Sequence, residues 1–214
     1  MTTEEKIVNY YVLCNKLKNV VRTGWKNWNV NRERIESIAE HIYGVQMLAI
    51  AMYSEYKYNI DLKKVIYMLA IHELEEIIIG DLTWADIDKN EKEKIGHEAI
   101  NKILENLIIK EELISLIKEF DERKTKEALF AFYCDKLECD IQAKLYDEEK
   151  CVNLNEQSNN PTYNNETVQK LLKEEKTWSS MWIKFGQEKY NYDENFKAIS
   201  NYIKNNTISI KNRN

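Results

Sequence analysis

The sequence predicts an all-α fold on three observations. Apolar residues recur at steps of three and four along most of the chain, the spacing of one face of a helix. One proline and five glycines in 214 residues leave few forced stops, whereas an all-β chain of this size needs a turn about every ten residues. A composition of 43% hydrophobic and 31% charged residues is globular and large enough for one sizeable core, so a single domain over 1–214 is expected.

Each element follows from this spacing. Apolar and charged positions alternate at helical steps over 3–17, and Arg22, Thr23, Gly24 and Trp25 form a glycine-containing break. A second helix is expected from Ile35 to about Glu55, with Ile35, Ile38, Ile42, Val45, Leu48, Ala49 and Met52 on one stripe. A third is expected from Asp61, a natural N-cap, through Leu62, Val65, Ile66 and Leu69 to Gly80, which suits a left-handed C-terminal cap. Further helical patterns cover about 90–107, 109–120, 124–147, 164–186 and 193–205, and the Asn-rich stretch 153–165, with Pro161, is a loop. The aromatic face of Trp178, Trp182, Phe185, Tyr190 and Phe196 completes a core or a subunit contact.

A net charge of −5 argues against a protein that neutralises a nucleic-acid backbone, which takes clustered Lys and Arg. The opening stretch lacks the uninterrupted apolar core of a signal peptide, and no run reaches the roughly 18 apolar residues of a membrane span. The expected place is the cytoplasm, with neither a membrane nor a nucleic-acid polymer as partner. Cys14, Cys134, Cys139 and Cys151 form no C-x-x-C pair and are read as free thiols.

The informative feature is that three apolar stripes turn ionisable where they should face a core. His41 follows Ile38 by three and precedes Val45 by four. Leu62, Ile66 and Leu69 lead to His72 and Glu73, with Glu76 one turn beyond His72. Ala128, Ala131 and Phe132 lead to Asp135 and Cys139. Burying such carboxylates unpaired costs several kcal/mol or neutralises them, and apart from Lys136 beside Asp135 no Lys or Arg lies on these stripes. A bound metal ion resolves the imbalance. Two imidazoles and two carboxylates suit Mn²⁺, Fe²⁺, Co²⁺, Zn²⁺ or, less well, Mg²⁺. His97, in a helix dense with Glu and Lys, reads as a surface residue.

The motifs S-I-A-E-H at 37–41, I-H-E-L-E-E-I-I-I-G-D at 71–81 and D-K-L-E at 135–138 resemble those of the HD-domain metal-dependent phosphohydrolases. With R-T-G-W at 22–25 and G-D-L-T at 80–83, the set is similar to the 5′-deoxynucleotidase branch, that of the YfbR-like enzymes and HD domain-containing protein 2. The match runs over about 21–143, leaving a C-terminal helical extension over about 164–205.

The resemblance implies an all-α HD-type domain, usually dimeric, holding one divalent metal ion on His41, His72, Glu73 and Asp135. Glu73 departs from the family aspartate by one methylene. Glu76, one turn beyond the ligand pair, is then the general base or orients the nucleophile, with the orienting of a ligand histidine as its second reading. Arg22 is the candidate phosphate clamp, Trp25 packs on sugar or base, and Asp81 accepts the sugar 3′-hydroxyl. The implied activity is hydrolysis of a nucleoside 5′-monophosphate, foremost a 2′-deoxyribonucleotide, to nucleoside and inorganic phosphate. The alternatives are an HD-type phosphohydrolase for a nucleotide alarmone or cyclic nucleotide, and a metal- or nucleotide-binding module without turnover, which the Glu73 change favours.

Overall fold

Side-chain caps fix most helix starts in the computed structural model, which describes residues 1–83 and 86–209. The helices are α1 (Thr3–Cys14), α2 (Thr23–Asn27), α3 (Ile38–Tyr56), α4 (Leu62–Ile71), α5 (Glu76–Ile79), α6 (Lys89–Ile103), α7 (Lys110–Glu122), α8 (Lys126–Glu148), α9 (Glu166–Glu174), α10 (Trp178–Lys189) and α11 (Glu194–Asn205). Among the described residues the fold is all-α, the one β-type pairing being an isolated bridge between Val21 and Ser37. None of these helices is long and apolar enough to cross a membrane, and all four cysteines are free.

α3 starts three residues later than its apolar stripe suggests, because Ser37 caps it. The Ser37 hydroxyl accepts the Glu40 N–H while Glu40 accepts the Ser37 N–H at 2.9 Å, a reciprocal box that satisfies two orphan donors. Asp61 caps α4 as expected, accepting the N–H groups of Lys63 and Lys64. The expected helix over 164–186 is divided, since Glu175 is extended and Thr177 starts α10 by accepting the Ser180 N–H. The break at 22–25 contains the short helix α2.

The chain forms two compact units, one of residues 1–23 and 36–132 and one of residues 24–35 and 133–214. In the first, α3 packs on α4, α4 on α7, and α5 on α6. Val45, Ala49 and Met52 of α3, Val65, Met68 and Leu69 of α4, and Leu113, Ile117 and Phe120 of α7 are buried. Each large aliphatic among them contributes roughly 1.5–3 kcal/mol by leaving water.

The second unit has an aromatic core. Trp25 and Trp28 are each 1% exposed. Trp25 meets Tyr146 edge-on at 5.4 Å and Trp182 at 5.1 Å, and Trp28 lies 5.6 Å from Trp178. The Asn-rich loop is organised from inside: buried Gln157 donates to the Trp28 carbonyl at 2.9 Å, and Asn160 donates to Gln157 at 3.0 Å. Of the expected aromatic face, Trp178, Trp182 and Phe185 take part in this packing, while Phe196, fully buried, stacks on Tyr192 at 5.9 Å.

Candidate metal centre

The first unit brings His41, His72 and Glu73 together. An extended segment sets the first of them: Val21 bridges Ser37, the Arg22 N–H donates to the Glu36 carbonyl at 3.0 Å, and the Ile38 N–H donates to the Val20 carbonyl at 2.8 Å. Arg22 is thereby fastened beside the start of α3, one turn before His41, which is fully buried.

His72 and Glu73 stand where the chain departs from the sequence reading. A continuous helix from Asp61 to Gly80 is expected, yet α4 stops at Ile71 and α5 resumes at Glu76. Between them, the N–H groups of Leu74, Glu76 and Ile77 donate to the carbonyls three residues back, at 3.2 Å each, so the backbone is wound more tightly than an α-helix. The His72 Nδ1 bonds the Leu69 carbonyl at 2.8 Å. A carbonyl only accepts, so Nδ1 carries the proton and Nε2 keeps its lone pair, the orientation a ligating histidine needs. Phe120 packs edge-on against this ring at 5.2 Å.

The Glu73 Oε1 is the hub. It lies 3.6 Å from the His72 Nε2, 4.0 Å from the His41 Nε2 and 3.6 Å from the Arg22 Nη1. The two imidazole rings are 5.6 Å apart, and one ligand atom from each of His41, His72 and Glu73 lies within 4.8 Å of the others. Two nitrogen donors and a carboxylate oxygen at this spacing can hold a metal ion, and the mixed donor set fits the borderline divalent metals. Asp135 stands on α8 in the second unit, 3% exposed, with the Lys136 ammonium at 2.7 Å.

Beyond this trio lies an acidic rim. Glu76 is 2% exposed; its Oε1 is 3.8 Å from the Lys92 ammonium, and its buried Oε2 makes no hydrogen bond among the described residues. Burial pushes this carboxyl well above the usual carboxylate range, and the neighbouring Glu73 and Asp81 push it further, while Arg22 and Lys92 pull it down. Glu75 is pushed up to about 8, first by burial and then by Glu73. Gly80 takes a φ of +73°, open chiefly to glycine, and turns the chain so that the Asp81 carboxylate accepts the Thr23 N–H at 2.6 Å.

Of the residues singled out in the sequence, Arg22, His41, His72, Glu73, Glu76 and Asp81 interact within one unit. Trp25 packs in the aromatic core of the other. His97 is a surface residue, one third exposed and paired with Asp121 at 3.0 Å. Lys92 escaped the sequence reading: it sits among six charged residues in the 15 of α6, and nothing in that pattern separates it from its solvated neighbours.

An HD domain family model matches residues 14–182. The chain is 34% identical over 150 residues to the 5′-deoxynucleotidase HDDC2 of Dictyostelium discoideum, an alignment covering 66% of this chain and 78% of that one. It is 30% identical over 145 residues to the protein of the same name from Mus musculus, covering 66% and 70%. A solved structure titled as a predicted metal-dependent phosphohydrolase from Magnetospirillum magnetotacticum superposes with a TM-score of 0.63 over 94% of this chain and 90% of that one; at 19% identity this likeness speaks for the fold alone. The chain belongs to the HD-domain family, with 5′-deoxynucleotidase HDDC2 proteins among its relatives.

Proposed function

We propose that this protein is a metal-dependent phosphohydrolase that converts nucleoside 5′-monophosphates, foremost 2′-deoxyribonucleotides, to nucleoside and inorganic phosphate. The observation that carries the reading is the convergence of two imidazole Nε2 atoms on the Glu73 carboxylate, with a buried second carboxyl, Glu76, one turn on. The relatives named 5′-deoxynucleotidases supply the substrate class.

His41, His72 and Glu73, with Asp135 as the fourth ligand, hold one divalent metal ion in this reading. Such an ion supplies Lewis acidity at a phosphoryl oxygen and lowers the pKa of water. Glu76 accepts the proton of the attacking water through Oε2. The water oxygen bonds to phosphorus, the bond from phosphorus to the 5′ oxygen breaks, and that oxygen leaves with a proton as the nucleoside hydroxyl. Arg22 pairs two phosphate oxygens with its planar guanidinium and Asp81 accepts the sugar 3′-hydroxyl, whereas Trp25, buried in the aromatic core, takes no part in binding substrate.

The same reading takes the chain as one HD-type domain, which the family match across 14–182 supports, and places it in the cytoplasm as a homodimer. Support for the dimer comes from α3, where Tyr43, Met47 and Ile50 are exposed by 64%, 42% and 43% on one uncharged stripe. Such a face resembles the apolar centre of a subunit interface.

A phosphate-release screen of deoxyribo- and ribonucleoside 5′-monophosphates tests the activity, using metal-stripped protein re-loaded in turn with Mn²⁺, Co²⁺, Mg²⁺ and Zn²⁺. Release from the monophosphates with at least one metal, and none without, is the expected result. Silence with every metal and nucleotide overturns the reading.

A further inference from the structure

Among the described residues, two cations, Arg22 and Lys92, face the acidic rim of the first unit, and they are placed differently. Arg22 sits on Glu73 at 3.6 Å. Lys92, on the first turns of α6, reaches the other way: its ammonium donates to the Leu82 carbonyl at 2.7 Å and stands 3.8 Å from the Glu76 Oε1. The root of the side chain is fixed as well, since the Lys92 N–H donates to the carbonyl of Asp88, the N-cap of α6, at 2.9 Å.

A lysine side chain is long and flexible, and a single exposed ion pair rarely holds it. Here a backbone carbonyl fixes the ammonium, so the charge is delivered to one place. The carboxyl it faces has its two oxygens in different surroundings: Oε1 is turned to Lys92, and Oε2 is buried without a hydrogen bond among the described residues. The carbonyl Lys92 grips belongs to the residue after Asp81, and Asp81 is itself held by the Thr23 N–H at 2.6 Å. The turn after Gly80 is thus gripped at two consecutive residues from two sides.

We propose that Lys92 is a positioning residue: by joining the Leu82 carbonyl to the Glu76 Oε1, it holds the Glu76 Oε2 towards the attacking water and steadies the turn that carries Asp81. This rests on the function proposed above. Its consequence falls on the chemical step, because a misplacement of about 1 Å in a group that acts on the nucleophile costs up to about 10²-fold in rate. Substrate binding depends less on Lys92, since without it the Thr23 N–H still bonds Asp81 for most of the time, opening more often but not letting go.

The test compares Lys92→Met, Lys92→Arg and, as a control on the same helix, exposed Lys94→Met. On the nucleotide and metal that give wild-type turnover, Lys92→Met is expected to lower kcat by about 10- to 100-fold with KM changed by less than about threefold. Lys92→Arg is expected to recover most of the loss, and Lys94→Met to match wild type. A readout independent of turnover is amide hydrogen exchange in the metal-free proteins: the Thr23 N–H is expected to exchange faster in Lys92→Met alone. Wild-type kcat and wild-type exchange at Thr23 in Lys92→Met overturn the positioning role while leaving the function intact. A kcat loss that Lys92→Arg does not recover, accompanied by a lowered melting temperature, overturns it in favour of a structural role. A wild-type protein inactive on every nucleoside monophosphate overturns the function itself, and the role of Lys92 in the reaction with it, whatever the exchange result.

Discussion

Replacing Glu76 with glutamine should make the protein slower and more stable at once, and the structure sets both sizes. The carboxyl is 2% exposed, beside the carboxyls of Glu73 and Asp81, and burial together with these two neighbours holds its pKa well above the ordinary range. In the metal-free protein a folded-state pKa above the unfolded value means that folding retains a proton the unfolded chain gives up. The stability the group provides is therefore complete below the unfolded-state pKa and is lost as pH rises through the folded-state value. Glutamine has the same shape and no such loss. It forgoes the pairing with Lys92 at 3.8 Å, but that ammonium is 31% exposed and the pairing is worth at most about 1 kcal/mol. Relief of a buried like-charge cluster outweighs this, for a net gain on the order of 1–3 kcal/mol at neutral pH. For a chain of this size that raises the melting temperature by roughly 2–10 °C, with the difference fading towards pH 4. Turnover moves oppositely: loss of a general base costs about 10²- to 10⁴-fold, or about 3–5 kcal/mol of barrier, with metal still bound. Calorimetric melts of the metal-free proteins at pH 4 and pH 7.5, metal titration, and phosphate release measure the three quantities. Full turnover by Glu76→Gln with its metal in place would remove the base assignment, and a lower melting point at pH 7.5 would show that the acidic cluster is already balanced.

Three more outcomes follow from other parts of the molecule. Glu73→Ala removes the oxygen shared by both imidazoles and Arg22, and metal affinity measured by titration calorimetry with Mn²⁺ should fall by more than about 100-fold; an unchanged affinity excludes Glu73 as a ligand. Asp140, 1% exposed on α8, has its carboxyl raised well above the usual range by burial, against a Tyr192 hydroxyl at 3.4 Å and the Lys136 charge. By the same linkage sign, Asp140→Asn should stabilise the fold at neutral pH by about 1 kcal/mol or more, an advantage that vanishes near pH 4; denaturant titrations at both pH values check this, and a pH-independent difference contradicts it. If the stripe on α3 is a subunit interface, Tyr43→Glu with Ile50→Lys should halve the mass seen by light scattering without lowering the helical signal, and a native protein already monomeric at micromolar concentration rules the dimer out.

The sequence itself determined the all-helical class and the identity of the inward-facing groups. Spacing of three and four fixes which side chains share a helix face, and a charged residue on an apolar stripe is conspicuous because burying it is costly. His41 and His72 stood out in this way, and both are buried, at 0% and 5% exposure. Capping residues were partly legible: Asp61 starts α4, and Gly80 ends α5 with a positive φ of 73°, but its ψ of 173° is extended and not that of the expected left-handed cap. The interruption after Ile71 was not legible, since I-H-E-L-E-E is a good helical string; the break shows only once the His72 ring claims the Leu69 carbonyl and the carbonyls three residues back take the next N–H groups. Tertiary structure alone decided that Arg22 sits on Glu73, that Trp25 is a core residue of an aromatic cluster, and that Lys92 differs from the other lysines of α6. The physical reason is common to all three. Periodicity along the chain reports which way a side chain points from its own helix, whereas an ion pair or a ring contact depends on what another segment, tens of residues away, presents at that place.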